Sequence, residues 1–402
     1  MYKKIITFSI LFLLVISNYS IASFFSIPTW SDSETLEVNS NPSDLFSLES
    51  ESAILIEQHS GQILYEKDIH KQLRPASVTK IMSLLLFMEA LENNEISYDT
   101  PIPCSENASS MGGSQIWLAS NETLTVDEML KAISIVSAND CTVALAEYLC
   151  GTEEIFVQKM NEKAKELGMN DTTFKNCHGI DEDGHFTSAY DISIMSKELL
   201  NKYPEIKNYT TIWMDSLRNG SSELVNTNKL IRTYDGATGL KTGSTSLALY
   251  NLSASATRND LSLIAVVLKA PTPQIRFSES KLLLDYGFSN FESKKLCQKN
   301  AFFKSVPISK GTQDTLNILY EDDLVSLQKK NDKTAISEEL LLSENLEAPI
   351  NKGDIVGKIN YYKGNNLIGS VNLIAESNLH KKTIFTSFLL IFKEWFSLEK
   401  TY

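Results

Sequence analysis

Apolar positions along the chain change period twice. Residues 53–57 (Ala-Ile-Leu-Ile-Glu) and 62–66 (Gln-Ile-Leu-Tyr-Glu) flank Gln58-His59-Ser60-Gly61. Two short apolar runs around a Gly-containing turn predict a β-hairpin. From Ser77 onward Ile81, Leu84, Leu85, Met88 and Leu91 recur at helical spacing, and Pro75 marks the approach to that helix. A second helix is expected over Thr125 to Leu149, with Asp127 and Glu128 in its first turn, and a third around Phe156 to Leu167, closed by Gly168. After Gly239 the short-period pattern returns. Tyr250 to Ser255 and Leu261 to Leu268 are β-rich runs separated by Arg258-Asn259-Asp260, and residues 278–286 predict a closing helix that stops before Gly287. A hairpin, then helices, then a hairpin is an α+β order, and it requires strands from both ends to pair in one antiparallel sheet.

The flanks read differently. From Phe291 the apolar runs are short, and residues 353–373 alternate, so 291–376 is expected to form a small β-rich domain following a domain over 49–290. Lys3 and Lys4, the apolar run from Ile5 to Ile16 and the small residues Ser20-Ile21-Ala22 predict a secretory signal over 1–22. Residues 23–48, rich in Ser, Asn, Asp and Glu, form a leader. The tail, 380–402, mixes Phe, Leu and Trp395 with Lys382, Lys393 and Lys400; it is too interrupted for a span and suits a helix lying in a membrane interface.

Composition narrows the classes of function. Hydrophobic residues make up 43% and charged ones 22% of 402, which is ordinary globular usage, and the net charge of -13 argues against nucleic acid as the main partner. The five cysteines, Cys104, Cys141, Cys150, Cys177 and Cys297, match neither a zinc spacing nor CxxC. Buried reduced thiols are expected, and one disulfide stays open. His178 and His185 are not at metal-ligand spacing, and His178 reads as a loop-structuring residue. Asp181-Glu182-Asp183-Gly184 hints at a calcium loop, but its closing acid would fall at Ile192. Neither metal nor cofactor is expected.

Three short motifs carry chemistry. They are Ser77-Val78-Thr79-Lys80, Ser137-Ala138-Asn139 and Lys241-Thr242-Gly243. SxxK also occurs at Ser278 and Ser326, and SxN at Ser105 and Ser370, so only the order and context of the three make a signal. A Ser hydroxyl needs an adjacent base, and Lys80, three residues on, shares its helical face. Only a neutral amine can take the proton. A second cation, Lys241, and the helix N-terminus are expected to push the Lys80 pKa down. Ser137 can relay a proton to the leaving amine, and Asn139 can hold Lys80 and the substrate amide. Lys241-Thr242-Gly243 should open an edge strand on which Gly243 admits the substrate backbone.

These motifs resemble the signature set of penicillin-binding proteins and serine β-lactamases. The boxes around them go further. Arg74-Pro75-Ala76-Ser77-Val78-Thr79-Lys80, Ser137-Ala138-Asn139-Asp140, Asn176-Cys177-His178-Gly179-Ile180-Asp181, and the strand from Asp235 through Thr257 resemble the low-molecular-mass D-alanyl-D-alanine carboxypeptidases, as does the helix with Arg276, Glu279, Leu283, Leu284, Tyr286, Gly287 and Phe288. The resemblance implies a β-lactamase/transpeptidase-like fold. It implies an acyl-enzyme on Ser77 formed from peptidoglycan stem pentapeptides, inhibition by β-lactams, and a place on the extracytoplasmic face of the membrane or in the cell wall. It also implies an oxyanion hole from the backbone N–H groups of Ser77 and Ser244, and carboxylate binding by Lys241, Thr242 and Arg276. A helix salt bridge to Glu279 is the competing reading of Arg276. Two positions depart: Ala138 replaces a usual Gly, and Leu249 stands where the strand often has Gly, which can reshape the substrate channel. The alternatives are a serine β-lactamase, for which Glu198-Leu199-Leu200-Asn201 has the wrong spacing, and a non-catalytic wall-binding protein on the same fold.

Overall fold

A computed structural model describes residues 47–383 and Phe388. The expected signal over 1–22, nearly all of the leader, and the tail beyond Thr383 apart from Phe388 lie outside the described residues.

Strands β1 (Ser52–Glu57) and β2 (Ile63–Lys67) form the first hairpin. Near the far end of this part of the chain come β3 (Ala237–Thr245), β4 (Leu249–Arg258) and β5 (Leu261–Ala270). All five join one antiparallel sheet in the order β2-β1-β5-β4-β3, with β1 paired along β5 from Ser52–Leu268 to Glu57–Leu263. The two ends therefore close on each other. The β4–β5 turn is tight because Asn259 and Asp260 both take positive φ (47° and 64°), the backbone a two-residue hairpin demands and one that Asn and Asp tolerate.

Helices fill the interval: α1 (Lys80–Glu92), α2 (Val126–Ile135), α3 (Asn139–Cys150), α4 (Glu153–Glu166) and α5 (Ala189–Lys202). They bury a core that includes Leu84, Phe87, Met129, Leu145, Phe156 and Met195 together with Ile54, Ile264 and Val266 of the sheet. The closing helix α6 (Pro273–Asn290) covers the sheet as well, setting Leu283 and Leu284 in the interior. Central strand β5 is buried along nearly its whole length, so its pattern is continuous rather than alternating.

Three expectations are corrected. The single helix over 125–149 is two helices. Thr125 caps α2 in a reciprocal box with Glu128, and the chain then breaks at Ser137, whose φ is 66°. The break is invisible to periodicity because apolar residues continue through it. The closing helix does not stop at Gly287 but runs on to Asn290; a Cβ at Gly287 would lie 2.4 Å from Leu263 Cδ1, so this Gly admits the sheet rather than ending the helix. Lys241 lies in the middle of β3 rather than at its opening, although β3 is an edge strand. Helix α5 was not anticipated, though Ser188 accepting from the Asp191 N–H and the buried series Ile192, Met195 and Leu199 carry its signature.

Between Phe291 and Ala375 the regular elements are strands. β6 (Phe291–Cys297) pairs with β9 (Leu324–Lys329). β7 (Phe302–Pro307), β8 (Thr315–Tyr320), β10 (Ile336–Leu342), β11 (Ile355–Lys363) and β12 (Asn366–Ala375) form a sheet in the order β7-β8-β12-β11-β10. It packs its own core around Ile318, Ile359, Tyr361 and Leu373.

Candidate active site

The chain reaches Ser77 through a 3-10 turn, Ala76–Thr79, that runs into α1 at Lys80. Ala76, Val78 and Thr79 are buried, and Ser77 alone in that turn remains partly accessible. The Lys80 ammonium is buried and donates to Ser77 Oγ at 3.2 Å, to Asn139 Oδ1 at 2.5 Å and to the backbone carbonyl of His178 at 2.6 Å. Burial pushes the Lys80 pKa down to about 7, with Cys177 and Asp140 acting the other way. Desolvation is therefore the leading cause of the lowering, and the two buried lysine amines are coupled. The coupling is felt at Lys241, which is buried and held well below the ordinary lysine range, first by burial and then by the charges of Lys80 and Arg276.

The break between α2 and α3 delivers the second motif. Ser137 Oγ is buried with no hydrogen-bond partner among the described residues. Strain from a left-handed backbone falls on Ser137 and not on Ala138, whose φ is -59°, so the methyl group that replaces the usual Gly meets no backbone objection. Asn139 is held on two further sides: its Nδ2 donates to Gly112 O and its backbone N–H to Ser114 O, both at 2.7 Å. Asp140 accepts from the N–H groups of Ile116 and Leu118 at 3.1 Å, so α3 and the loop that precedes α2 are fixed together.

The third motif faces the turn of the first. A Cβ at Gly243 would lie 2.8 Å from Pro75 O and 2.9 Å from Ser77 N, so only Gly lets β3 approach the Ser77 turn this closely. Thr242 Oγ1 pairs with Thr227 Oγ1 at 2.7 Å, and Ser244 is exposed on the same edge strand. Arg276, buried on α6, donates to Gly243 O at 3.3 Å and Asn251 O at 3.2 Å. No Arg276–Glu279 ion pair occurs among the described residues, and Glu279 instead accepts from the backbone N–H groups of Glu49 and Ser50. Burial lowers the Arg276 pKa to about 10, and its Nε has no hydrogen-bond partner among the described residues. Leu249 closes the β3–β4 turn with φ 53°, a backbone that favours the Gly usual at that position.

The three motifs thus come together, and residues outside them complete the support. Gly179, with φ 93°, lets its loop press on the Ser77 turn, where a Cβ would lie 2.0 Å from Ala76 O. Asn251 Nδ2 donates to Arg74 O at 2.8 Å and Pro75 O at 3.0 Å, tying β4 to the same turn. His178 structures its loop as expected, its Nδ1 accepting the Ile180 N–H at 3.1 Å. Its role in presenting a carbonyl to Lys80 has no sequence signal, because any residue supplies a carbonyl. Asn201 bonds Gln58 on the first hairpin through both ends of its amide, so the Glu198–Asn201 segment serves the sheet. All five cysteines are free thiols, and no group of three or more His, Cys, Asp or Glu among the described residues is placed to hold a metal.

Known proteins resemble this chain along most of its length. Residues 37–272 match the D-alanyl-D-alanine carboxypeptidase family and residues 291–381 the penicillin-binding protein 5 C-terminal domain. The chain is 43% identical over 345 residues to the D-alanyl-D-alanine carboxypeptidase DacF of Bacillus subtilis, covering 85% of this chain and 88% of that one. Penicillin-binding protein 5 from Haemophilus influenzae superposes with a TM-score of 0.71 at 29% identity, covering 84% of this chain and 99% of that one. Penicillin-binding protein D2 from Listeria monocytogenes, solved in an ampicillin-bound form, superposes with a TM-score of 0.56 at 31% identity, covering 60% of this chain and 98% of that one. The chain belongs to the D-alanyl-D-alanine carboxypeptidase family, the low-molecular-mass penicillin-binding proteins.

Proposed function

We propose that Ser77 is the nucleophile with which this serine-type carboxypeptidase removes the terminal D-alanine of peptidoglycan stem pentapeptides. The observation that carries the reading is the 3.2 Å contact between Ser77 Oγ and a buried Lys80 amine that burial brings close to neutrality at physiological pH. Neutral Lys80 takes the Ser77 proton as Oγ attacks the carbonyl of the penultimate D-Ala. The tetrahedral oxyanion is met by the N–H groups of Ser77 and Ser244. Collapse breaks the peptide bond, and Ser137 relays the proton held by Lys80 to the departing D-Ala amine, which leaves Lys80 neutral again. Water then hydrolyses the ester and restores Ser77. Asn139 orients Lys80 and the substrate amide, while Lys241, Thr242 and Arg276 receive the terminal carboxylate and Gly243 admits the substrate backbone. β-Lactams acylate the same Ser77 because they present a strained amide to the same groups. Labelling by a fluorescent penicillin that is lost in Ser77→Ala tests the nucleophile. Release of D-Ala from a pentapeptide, set against hydrolysis of penicillin, separates a peptidase from a β-lactamase.

The supporting architecture completes the proposal. Residues 1–22 direct export across the plasma membrane, 23–48 form a leader, 49–290 the catalytic domain and 291–376 a β-rich domain. Residues 380–402 hold the enzyme on the extracytoplasmic membrane surface through their apolar residues and interspersed lysines. A chain ending at Ser377 should move from the membrane fraction to the soluble one, and unchanged membrane association would remove the tail's role.

A further inference from the structure

The turn that carries Ser77 changes its winding just before Lys80. Ala76–Thr79 coils as a 3-10 turn and α1 begins at Lys80, so the 3.2 Å between Ser77 Oγ and Lys80 Nζ is set across a junction of two helix types. Thr79 is the last residue before the junction. Its backbone is helical (φ -44°, ψ -38°) and its side chain caps no N–H of α1. The hydroxyl instead meets Nε2 of His185 at 2.8 Å, a residue 106 positions away. The tautomer follows from the other nitrogen. The Lys175 backbone N–H donates to His185 Nδ1 at 3.2 Å, so Nδ1 carries the lone pair and Nε2–H donates to Thr79 Oγ1.

Both partners are buried, and Phe174 packs edge-on against the imidazole with ring centroids 5.9 Å apart. A lost bond would strand a polar atom in the interior, which makes the pairing specific. The segment that bears His185 also presents the His178 carbonyl to Lys80 and the Cys177 carbonyl to Ser83 Oγ at 2.6 Å. One loop therefore grips the start of α1 at Thr79, Lys80 and Ser83. His178 and Ser83 hold α1 itself, whereas the His185–Thr79 bond alone among these acts on the 3-10 side of the junction.

We propose that His185 is a positioning residue for acylation: through Thr79 it fixes the 3-10 to α junction that aligns Ser77 Oγ with Lys80 Nζ. The inference rests on the reading of Ser77 as nucleophile. The test is the rate of acylation by a fluorescent penicillin, with the thermal midpoint measured beside it, in the full chain and in His185→Leu, Thr79→Val, the double variant and His185→Gln. Each of the first two should slow acylation about tenfold or more, because small misplacements of reacting groups are costly. The double variant should be no slower than the slower single one, since both remove the same bond. His185→Gln, whose amide can accept from Lys175 N–H and donate to Thr79, should return the rate to within about threefold of the parent chain.

A merely structural role would lower the midpoint and leave the acylation rate, measured well below it, unchanged. Acylation at the parent rate in His185→Leu, or additive slowing in the double variant, overturns the inference. If His185→Leu does not fold, Thr79→Val, of similar shape, carries the test against His185→Gln. Labelling of the parent chain that persists in Ser77→Ala refutes the nucleophile itself. Labelling that depends on Ser77 but is indifferent to Thr79 and His185 refutes only the positioning role.

Discussion

The Lys80 amine and the backbone carbonyl of His178 lie 2.6 Å apart, although 98 positions separate the two residues in the chain. A carbonyl dipole from one loop thus faces the amine that adjoins Ser77, and Asn139 supplies a second oxygen at 2.5 Å. With both oxygens in place the amine is fixed in direction while burial lowers its charge affinity, which is the combination a general base needs.

The pH dependence of acylation follows. Only the neutral form of Lys80 accepts a proton, and burial puts its pKa at about 7. Acylation by penicillin should therefore rise as pH increases through neutrality and level off above it, with the buried Lys241 coupled to the same titration. Lys80→Arg, charged at every accessible pH, should lower the rate about 100-fold or more. A rate profile that is flat across neutral pH would remove Lys80 as the base.

Gly179→Ala places a methyl group against the Ser77 turn. The added carbon would lie 2.0 Å from Ala76 O at a backbone φ of 93°. Strain of this backbone alone costs about 1–3 kcal/mol, and the clash must displace either the loop or Ser77. Expected are a lower thermal midpoint and acylation slowed more than in a surface Gly→Ala control such as Gly353. Equal acylation in the two variants would show that the loop yields without moving the turn.

Gly287→Ala sets helix propensity against packing. Alanine gains about 1 kcal/mol over glycine inside a helix. Here its methyl would lie 2.4 Å from Leu263 Cδ1 and 3.2 Å from Leu55 Cδ2, both in the buried sheet. Overpacking of this kind costs about 1–3 kcal/mol, so the net should be destabilising. Denaturant unfolding of the variant checks the sign, and a gain in stability would mean that α6 shifts freely on the sheet.

Acid stability should track the two buried histidines. Burial lowers the His178 pKa to about 3 and the His185 pKa to about 4. Both folded values lie below the unfolded value of about 6.5, so between these limits the unfolded chain binds more protons. Stability is therefore lost as pH falls from about 6.5 toward 4, and is fully present above 6.5 as far as these groups decide it. Thermal midpoints measured down that range should fall, and His185→Gln should flatten the slope. A midpoint independent of pH there contradicts the burial of both imidazoles.

Much of this was legible in the residues, for local reasons. The SxxK spacing fixes Lys80 on the face of Ser77 because a helical turn does so wherever it occurs. The Asn259-Asp260 turn and the cap at Thr125 are likewise properties of a few adjacent residues, as is the Ser188 cap of α5, a helix that the sequence reading did not identify. Where local signal was absent or ambiguous, the reading failed. Apolar residues on both sides of Ser137 hid the break between α2 and α3, and Gly287 carries the same letter whether it ends a helix or admits a strand.

By itself, then, the sequence determined the hairpin–helices–hairpin order, the three motifs and the chemistry they can supply, since these depend on residue type and short spacing. Only the tertiary structure decided what surrounds Lys80, which neighbours hold the Ser77 turn, and that Arg276 braces Gly243 rather than pairing with Glu279. Those outcomes depend on burial and on backbone groups brought from distant positions, and a backbone carbonyl or the loss of water leaves no letter in the chain.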